Sequence, residues 1–461
     1  LNSTMSLFSD PIILLLITLI PVTLFTLSPP PSSTSGTNAK ASSPQTAPHE
    51  SQSKKKKKQK KQKKNRASVS TAPSSCSPTT DLWTYLIPYY LASLADWLRG
   101  PYTYQIYAAA GYPIYKISLL FVTGFLSSMI FGTFFGSIAD RLGRKKIILW
   151  GYVFCYCAAS VCVHFPHKYW VLMIGRILSG VATSVLMSAF ESWMISDFSA
   201  NKQQVDMDVV FYWQILGNGT MAIVAGLLAH VALKYTNGRY SSAFDLSFVF
   251  LVLSALPIAL LWKENYGNQK QSVRKGFSQA LKVIFTNPIV LCIGITQSLF
   301  EAAMFIFVFL WSPTLDAALA GESCSHALIF SCFMVCVMLG SNVFSRGRTS
   351  RISTEKLLVL TMSTALISLA IPIYFTNFYI ILVSFLLFEA CVGLFWPTIG
   401  TLKGKYVPSE VRSTVMNFFR IPTNFAVIFT VLFSSHLSAA TMFAICCMLL
   451  TVAMVASLVI K

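Results

Sequence analysis

The chain has 461 residues, of which 54% are hydrophobic and 11% charged, with a formal net charge of +19. Soluble domains carry roughly a quarter charged residues, so the composition excludes a soluble globular protein and points to an all-α polytopic membrane protein. Nucleic acid is not an expected partner: ten positive charges lie in one tract, KKKKKQKKQKKNR from Lys54 to Arg66, and the remaining +9 (19 − 10) is explained by basic loops.

The first feature in chain order is the apolar run Pro11 to Leu27, at the lower length limit for a spanning helix. We read residues 1–27 as an extra N-terminal hydrophobic helix. A cleaved signal core is the alternative, opposed by Asp10 and by the lack of Lys or Arg before the run. Residues 28–81 form a Ser/Pro-rich linker too poor in apolar residues to fold. Its polybasic tract either touches anionic lipid headgroups or is a solvated tether.

From Leu82 onward, apolar runs predict helices near 83–107, 114–139, 147–165, 169–196, 208–234 and 244–262. Six more follow near 288–312, 325–345, 356–376, 378–402, 412–435 and 437–460. The twelve divide into an N-terminal bundle over 82–262, a basic cytoplasmic inter-bundle loop over 263–287, and a C-terminal bundle over 288–461. If the first of the twelve starts in the cytoplasm, the inner loops hold seventeen Lys and Arg and the outer loops and helix ends hold four. That asymmetry is what the positive-inside rule requires.

Between the second and third runs lies GSIADRLGRKK, Gly136 to Lys146. Gly136 lets neighbouring helices approach, Gly143 supplies a turn, and Asp140, Arg141 and Arg144 mark the membrane face. The pattern resembles the signature loop of the major facilitator superfamily. GSIADRLGR at 136–144 recurs as GSNVFSRGR at 340–348, where Phe344 replaces the aspartate, so the two halves resemble each other. The resemblance implies a major facilitator fold of two six-helix bundles, with a substrate site between them.

Once loops, linker and termini are set aside, the membrane retains Arg99, Arg176 and Arg420, and Asp96, Glu191, Glu301 and Glu389. Each such charge costs at least about 2.5 kcal/mol, so these residues are expected to line a cavity or to pair. Arginine stays charged and donates two parallel hydrogen bonds, so Arg99, Arg176 and Arg420 are the candidate oxyanion ligands. Asp96, Glu301 and Glu389 are the candidate proton carriers or charge-balancing groups. Asp96 and Arg99 lie one turn apart, and a local ion pair is the competing reading. For Arg176, the resemblance implies helix packing or proton coupling as roles that compete with substrate contact. For Glu191, near the cytoplasmic end of the fourth run, the resemblance to the major facilitator superfamily implies a latch onto a signature-loop arginine.

His164 and His167 lack a third ligand, and most of the eleven cysteines fall inside apolar runs, so neither a metal nor a cofactor is expected. No P-loop, nucleotide-binding glycine pattern, H-E-x-x-H or nucleophile elbow occurs, and the chain is read as a carrier rather than an enzyme.

The segments DWLRGPYTYQIY (96–107), GRILSGVATSVLMSAFESW (175–193), WKENY (262–266), QSLFEAAMFIFVFLWSPTLD (297–316) and NFFRIP (417–422) narrow the resemblance. Together they resemble the eukaryotic molybdate-anion transporter family, whose members also carry an additional N-terminal hydrophobic segment. The resemblance implies import of molybdate across the cell membrane by alternating access, with protons as a candidate coupling partner. Arg99 stands where the family leads us to expect an uncharged amide, and the long Lys-rich linker is a second departure. Transport of an organic or drug-like solute, and a non-transporting receptor or scaffold, remain as alternatives.

Overall fold

The computed structural model describes residues 80–200, 207–266, 273–319, 325–349, 352–408 and 412–460. The expected N-terminal helix and nearly all of the linker lie outside the described residues. All described regular structure is helical, and ten helices are long and apolar enough to cross a membrane. The molecule is a multi-pass membrane protein.

The first half comprises α1 (Thr80–Trp97), a 3-10 turn (Gly100–Tyr102), α2 (Thr103–Ala109), α3 (Ile114–Leu142), α4 (Arg144–Ile147), a π-helical stretch (Ile148–Phe154) and α5 (Cys155–Cys162). It continues through α6 (Tyr169–Leu186), α7 (Ala189–Ala200), α8 (Met207–Tyr235) and α9 (Ser242–Leu261). A connecting helix, α10 (Val273–Thr286), precedes α11 (Pro288–Ala318), α12 (His326–Thr349), α13 (Thr354–Tyr374), α14 (Phe378–Tyr406), α15 (Arg412–Leu432) and α16 (Ala439–Leu458). Several starts carry side-chain caps. Asn287 accepts from Ile289 and Val290, Asn377 from Tyr379 and Ile380, and Ser353 from Lys356, which satisfies first-turn amides that lipid could not.

Three elements differ from expectation. The first span breaks after Trp97, because Pro101 has no N–H and disfavours a helical Gly100; this leaves Arg99 in the break. The basic inter-bundle loop contains α10, whose Ala280 and Ile284, one turn apart, are buried in the core. The tenth span runs on to Tyr406, so Lys403 and Lys405 are helical rather than in a loop.

Within the first half α1 packs on α8 and α9, and α3 on α6. In the second half α14 packs on α12 and α13, and α11 on α15 and α16. Contacts of α8 with α12 and of α3 with α15 join the halves. The hydrogen bonds across that join lie at the end opposite the basic loops. Gln105 Nε2 donates to Ser312 Oγ (2.6 Å) and Asp316 Oδ2 (2.9 Å). Ser118 meets Ser434 at 2.5 Å, His230 meets Ser325 at 2.7 Å, and Ser331 donates to the Ile223 carbonyl at 3.1 Å. One hydrophobic core runs from the second half into this end of the first half, whereas the basic end of the first half has a core of its own around Tyr85, Trp193 and Trp262. The halves are fused at one end and separately packed at the other.

Candidate functional site

Arg99 and Arg176 come together in the first half. Arg99 is 7% exposed; it donates to the Tyr156 carbonyl (3.3 Å) and to Ser179 Oγ (3.1 Å), with its guanidinium 4.3 Å from the Tyr156 ring centroid. The Tyr156 hydroxyl donates to the Asp96 carboxylate and lies 2.8 Å from Thr183 Oγ1. The alternative reading of a direct Asp96–Arg99 ion pair is therefore not realised. Both residues hang on Tyr156, which the π-helical stretch positions. Arg176 donates from Nε to the Leu120 carbonyl (3.1 Å) and lies over Phe121. A Cβ at Gly124 would stand 2.4 Å from its Nη2, so glycine makes the space the guanidinium fills.

These two arginines, with Tyr107, Ser179 and Phe244, line a cavity of about 10 Å³. That is room for about one water, and a tetrahedral oxyanion does not fit there in this conformation. Arg420 is not among the lining residues. The expected three-arginine pocket is divided.

Arg420 belongs to a second group. It is exposed on α15, where the carbonyl of the preceding Phe419 accepts from Ser298 Oγ of α11 at 2.6 Å, three residues before Glu301. Glu301 is 5% exposed and accepts from Gln297 Nε2 at 2.7 Å. Among the described residues, neither the Arg420 guanidinium nor the Lys403 ammonium makes a hydrogen bond or an ion pair. Glu389 on α14 is 7% exposed and likewise has no hydrogen-bond or ion-pair partner there. Lys403 escaped sequence reasoning because the apolar run of the tenth span ends just before it.

The signature loop is built as a clamp. Asp140 and Arg144 pair at 2.7 Å, and Arg144 Nη1 donates to the Ser192 carbonyl at 2.8 Å. Gly136 lies within the last turns of α3, Arg141 is exposed, and Gly143 has φ +106°, a backbone state that favours glycine. The latch expected from Glu191 is not made: its side chain is exposed and does not pair with a loop arginine. Glu264 takes the role. Its carboxylate accepts from the Lys145 amide (2.9 Å) and the Lys146 amide (3.2 Å) at the start of α4, where bare N–H groups favour an anion. Trp262, two residues earlier, stacks on Trp193 at 3.9 Å and donates to the Thr84 carbonyl. A Glu264→Ala variant is expected to lose about 1.5–3 kcal/mol, the worth of hydrogen bonds to a charged group. The readout is a lowered melting temperature in detergent, and an unchanged one would contradict the clamp.

A family model described as sugar transporters with twelve transmembrane segments matches residues 60–392. A molybdate-anion transporter of Xenopus laevis is 31% identical over 355 residues, covering 73% of this chain and 75% of its own. The chain belongs to the molybdate-anion transporter family of the major facilitator superfamily. Another member, the molybdate-anion transporter of Takifugu rubripes, is 30% identical over 383 residues, covering 74% of this chain and 76% of its own. Among solved structures, a mutant of the nucleoside transporter NupG superposes with a TM-score of 0.64 at 14% identity, covering 82% of this chain and 99% of that one. The chain thus has the major facilitator fold, with Arg99 and Arg176 together in the first half and Arg420 in the second.

Proposed function

We propose that this chain imports molybdate, or an oxyanion of the same shape and charge, across the cell membrane by alternating access between its halves. The observation that carries the reading is Arg420: a permanent cation, exposed near the start of the apolar stretch Phe418–Leu432 of α15 and holding no hydrogen-bond partner among the described residues. A guanidinium in that setting is suited to bind an oxyanion through two parallel hydrogen bonds. The names of the relatives supply the anion.

In this reading the fused end faces outward and the basic end faces the cytoplasm, so the conformation is inward-facing. The closed Arg99–Arg176 cavity then belongs to the part of the path that opens when the halves rock the other way. Asp96, Glu301 and Glu389 are the proton-coupling candidates, and Glu389 is the least encumbered of them. The polybasic linker, read from the sequence as cytoplasmic, is the candidate contact for anionic lipid.

The experiment is molybdenum accumulation in cells lacking their own molybdate uptake, with the protein at verified surface levels. Saturable uptake that resists excess sulfate and sugars is the expected outcome. No uptake by surface-located wild type would reject import. Inhibition by sugars would favour the organic-solute reading that the family model's description raises.

A further inference from the structure

The small cavity of the first half is lined by two arginines that no carboxylate answers. Arg99 and Arg176 both line it, and among the described residues neither makes an ion pair. One hydrogen bond ties the two together. Arg99 Nη2 donates to Ser179 Oγ at 3.1 Å, and Ser179 lies on the same face of α6 as Arg176, three residues away. The nearby Asp96 carboxylate is taken by the Tyr156 hydroxyl. Even with Asp96 ionised, two cations and one anion leave this buried group with a net charge of about +1, which is costly without a counter-charge.

The frame around the cavity is closely packed. A Cβ at Gly180 of α6 would stand 2.5 Å from the Gly124 carbonyl oxygen of α3, and one at Gly175 would stand 2.9 Å from the Cys162 Cβ of α5. Aromatic rings cover the flat faces of both guanidiniums: Tyr156 and Phe244 lie 4.3 and 5.2 Å from Arg99, and Phe121 lies 5.2 Å from Arg176. The N–H edges are left for oxygen acceptors and for the cavity.

Those edges outnumber their acceptors. Each guanidinium carries five N–H groups. The Tyr156 and Leu120 carbonyls and Ser179 Oγ accept one hydrogen bond each, and the Tyr107 hydroxyl faces Arg176. At most four of the ten are thereby answered among the described residues. The other polar side chains lining the cavity, Tyr107 and Ser179, bring hydroxyl donors of their own, and no carboxylate, amide or imidazole lines it. A water placed here accepts two hydrogen bonds and must also donate two, with few acceptors to receive them. A monatomic anion only accepts, and it cancels the charge. The cavity, of about 10 Å³, has room for one particle near the size of water.

We propose that this cavity is a halide site, in which one chloride bound by Arg99 and Arg176 compensates the charge of the first half. The size limit selects a halide over a tetrahedral oxyanion in this conformation, and the donor excess selects it over water. The site does not depend on which solute the chain transports.

The test is thermal melting of the purified full chain in detergent, with gluconate replaced stepwise by bromide or chloride at constant ionic strength. Wild type should show a saturating rise of about 1–4 °C, because a ligand held by the folded state alone stabilises it. Arg99→Gln and Arg176→Gln should lose that rise, each judged against its own melting temperature in gluconate. Arg420→Gln should keep it, since Arg420 does not line the cavity. A flat response in wild type would overturn the proposal, as would an undiminished rise in both Arg99→Gln and Arg176→Gln. Loss of the rise in Arg420→Gln alone would place the halide in the second half and overturn it equally. Should the first-half variants not fold, wild-type crystals grown in bromide decide the matter. An anomalous-scattering peak between the two guanidiniums is expected, and its absence there would overturn the assignment. A halide response in a protein that moves no molybdate would reject the import reading and leave this site standing.

Discussion

Gly393→Val is expected to leave almost no folded protein in the membrane. A Cβ at Gly393 would stand 1.9 Å from the Val337 carbonyl oxygen, and one at Gly340 would stand 1.9 Å from the Ala390 carbonyl oxygen. Each glycine thus faces the backbone of the opposite helix, and no side-chain rotation relieves the clash. α12 and α14 would have to separate, which would disturb Phe388 and Phe395 of α14, both packed against Phe300 of α11. Overpacking that side chains can absorb costs about 1–3 kcal/mol, and a backbone clash costs more. Total stability is on the order of 5–15 kcal/mol, so a drop of tenfold or more in monodisperse, detergent-extracted protein is expected. Gly393→Ala should be intermediate. A Gly393→Val protein that elutes and melts like wild type would contradict the close approach of these helices.

Arg420→Gln is expected to do the opposite, sparing the fold and removing transport. Among the described residues, the Arg420 side chain makes no hydrogen bond that the fold would lose. A bound oxyanion, in contrast, would lose a charge-assisted hydrogen bond worth about 1.5–3 kcal/mol, or roughly 10- to 150-fold in affinity. Arg420→Lys keeps the charge without the planar fork and should fall between. Arg176→Gln makes the informative contrast, because Arg176 donates to the Leu120 carbonyl and packs over Phe121 in the space left by Gly124. It should lower the melting temperature as well as uptake. Uptake kinetics and thermal melting of the two variants, measured side by side, separate a ligand-facing arginine from an embedded one.

Most of the fold was legible because lipid imposes it. Spans must be apolar and long, loops must carry the charges, and the excess of Lys and Arg on one side sets the orientation. Where these rules are silent, the sequence misled. The apolar run carries a helix through Gly100-Pro101, whereas the proline ends α1 and leaves Arg99 in the break. Hydropathy falls at Lys403 and points to a loop, whereas the helix continues to Tyr406. Glu264 lies 119 residues from the Lys145 amide it caps, and only the folded chain brings them together. Glu191 sits closer in sequence to the basic loop and was the natural choice for a latch, but its exposed side chain makes none.

The candidate site was legible residue by residue, and its grouping was not. Composition picks out every arginine left in the membrane, since each is costly there. Which arginines share a cavity depends on helix rotation and on which half carries them. Arg99, in the break after α1, meets Arg176 of α6 in the first half, while Arg420 stands on α15 in the second.

The most direct test of the account is molybdate flux into liposomes containing only the purified protein, compared between wild type and Arg420→Gln. The account predicts saturable molybdate entry by wild type that excess sulfate does not abolish, and entry reduced at least about tenfold in the variant. Wild-type liposomes that fill no faster than protein-free ones, with the protein folded and inserted, would contradict it.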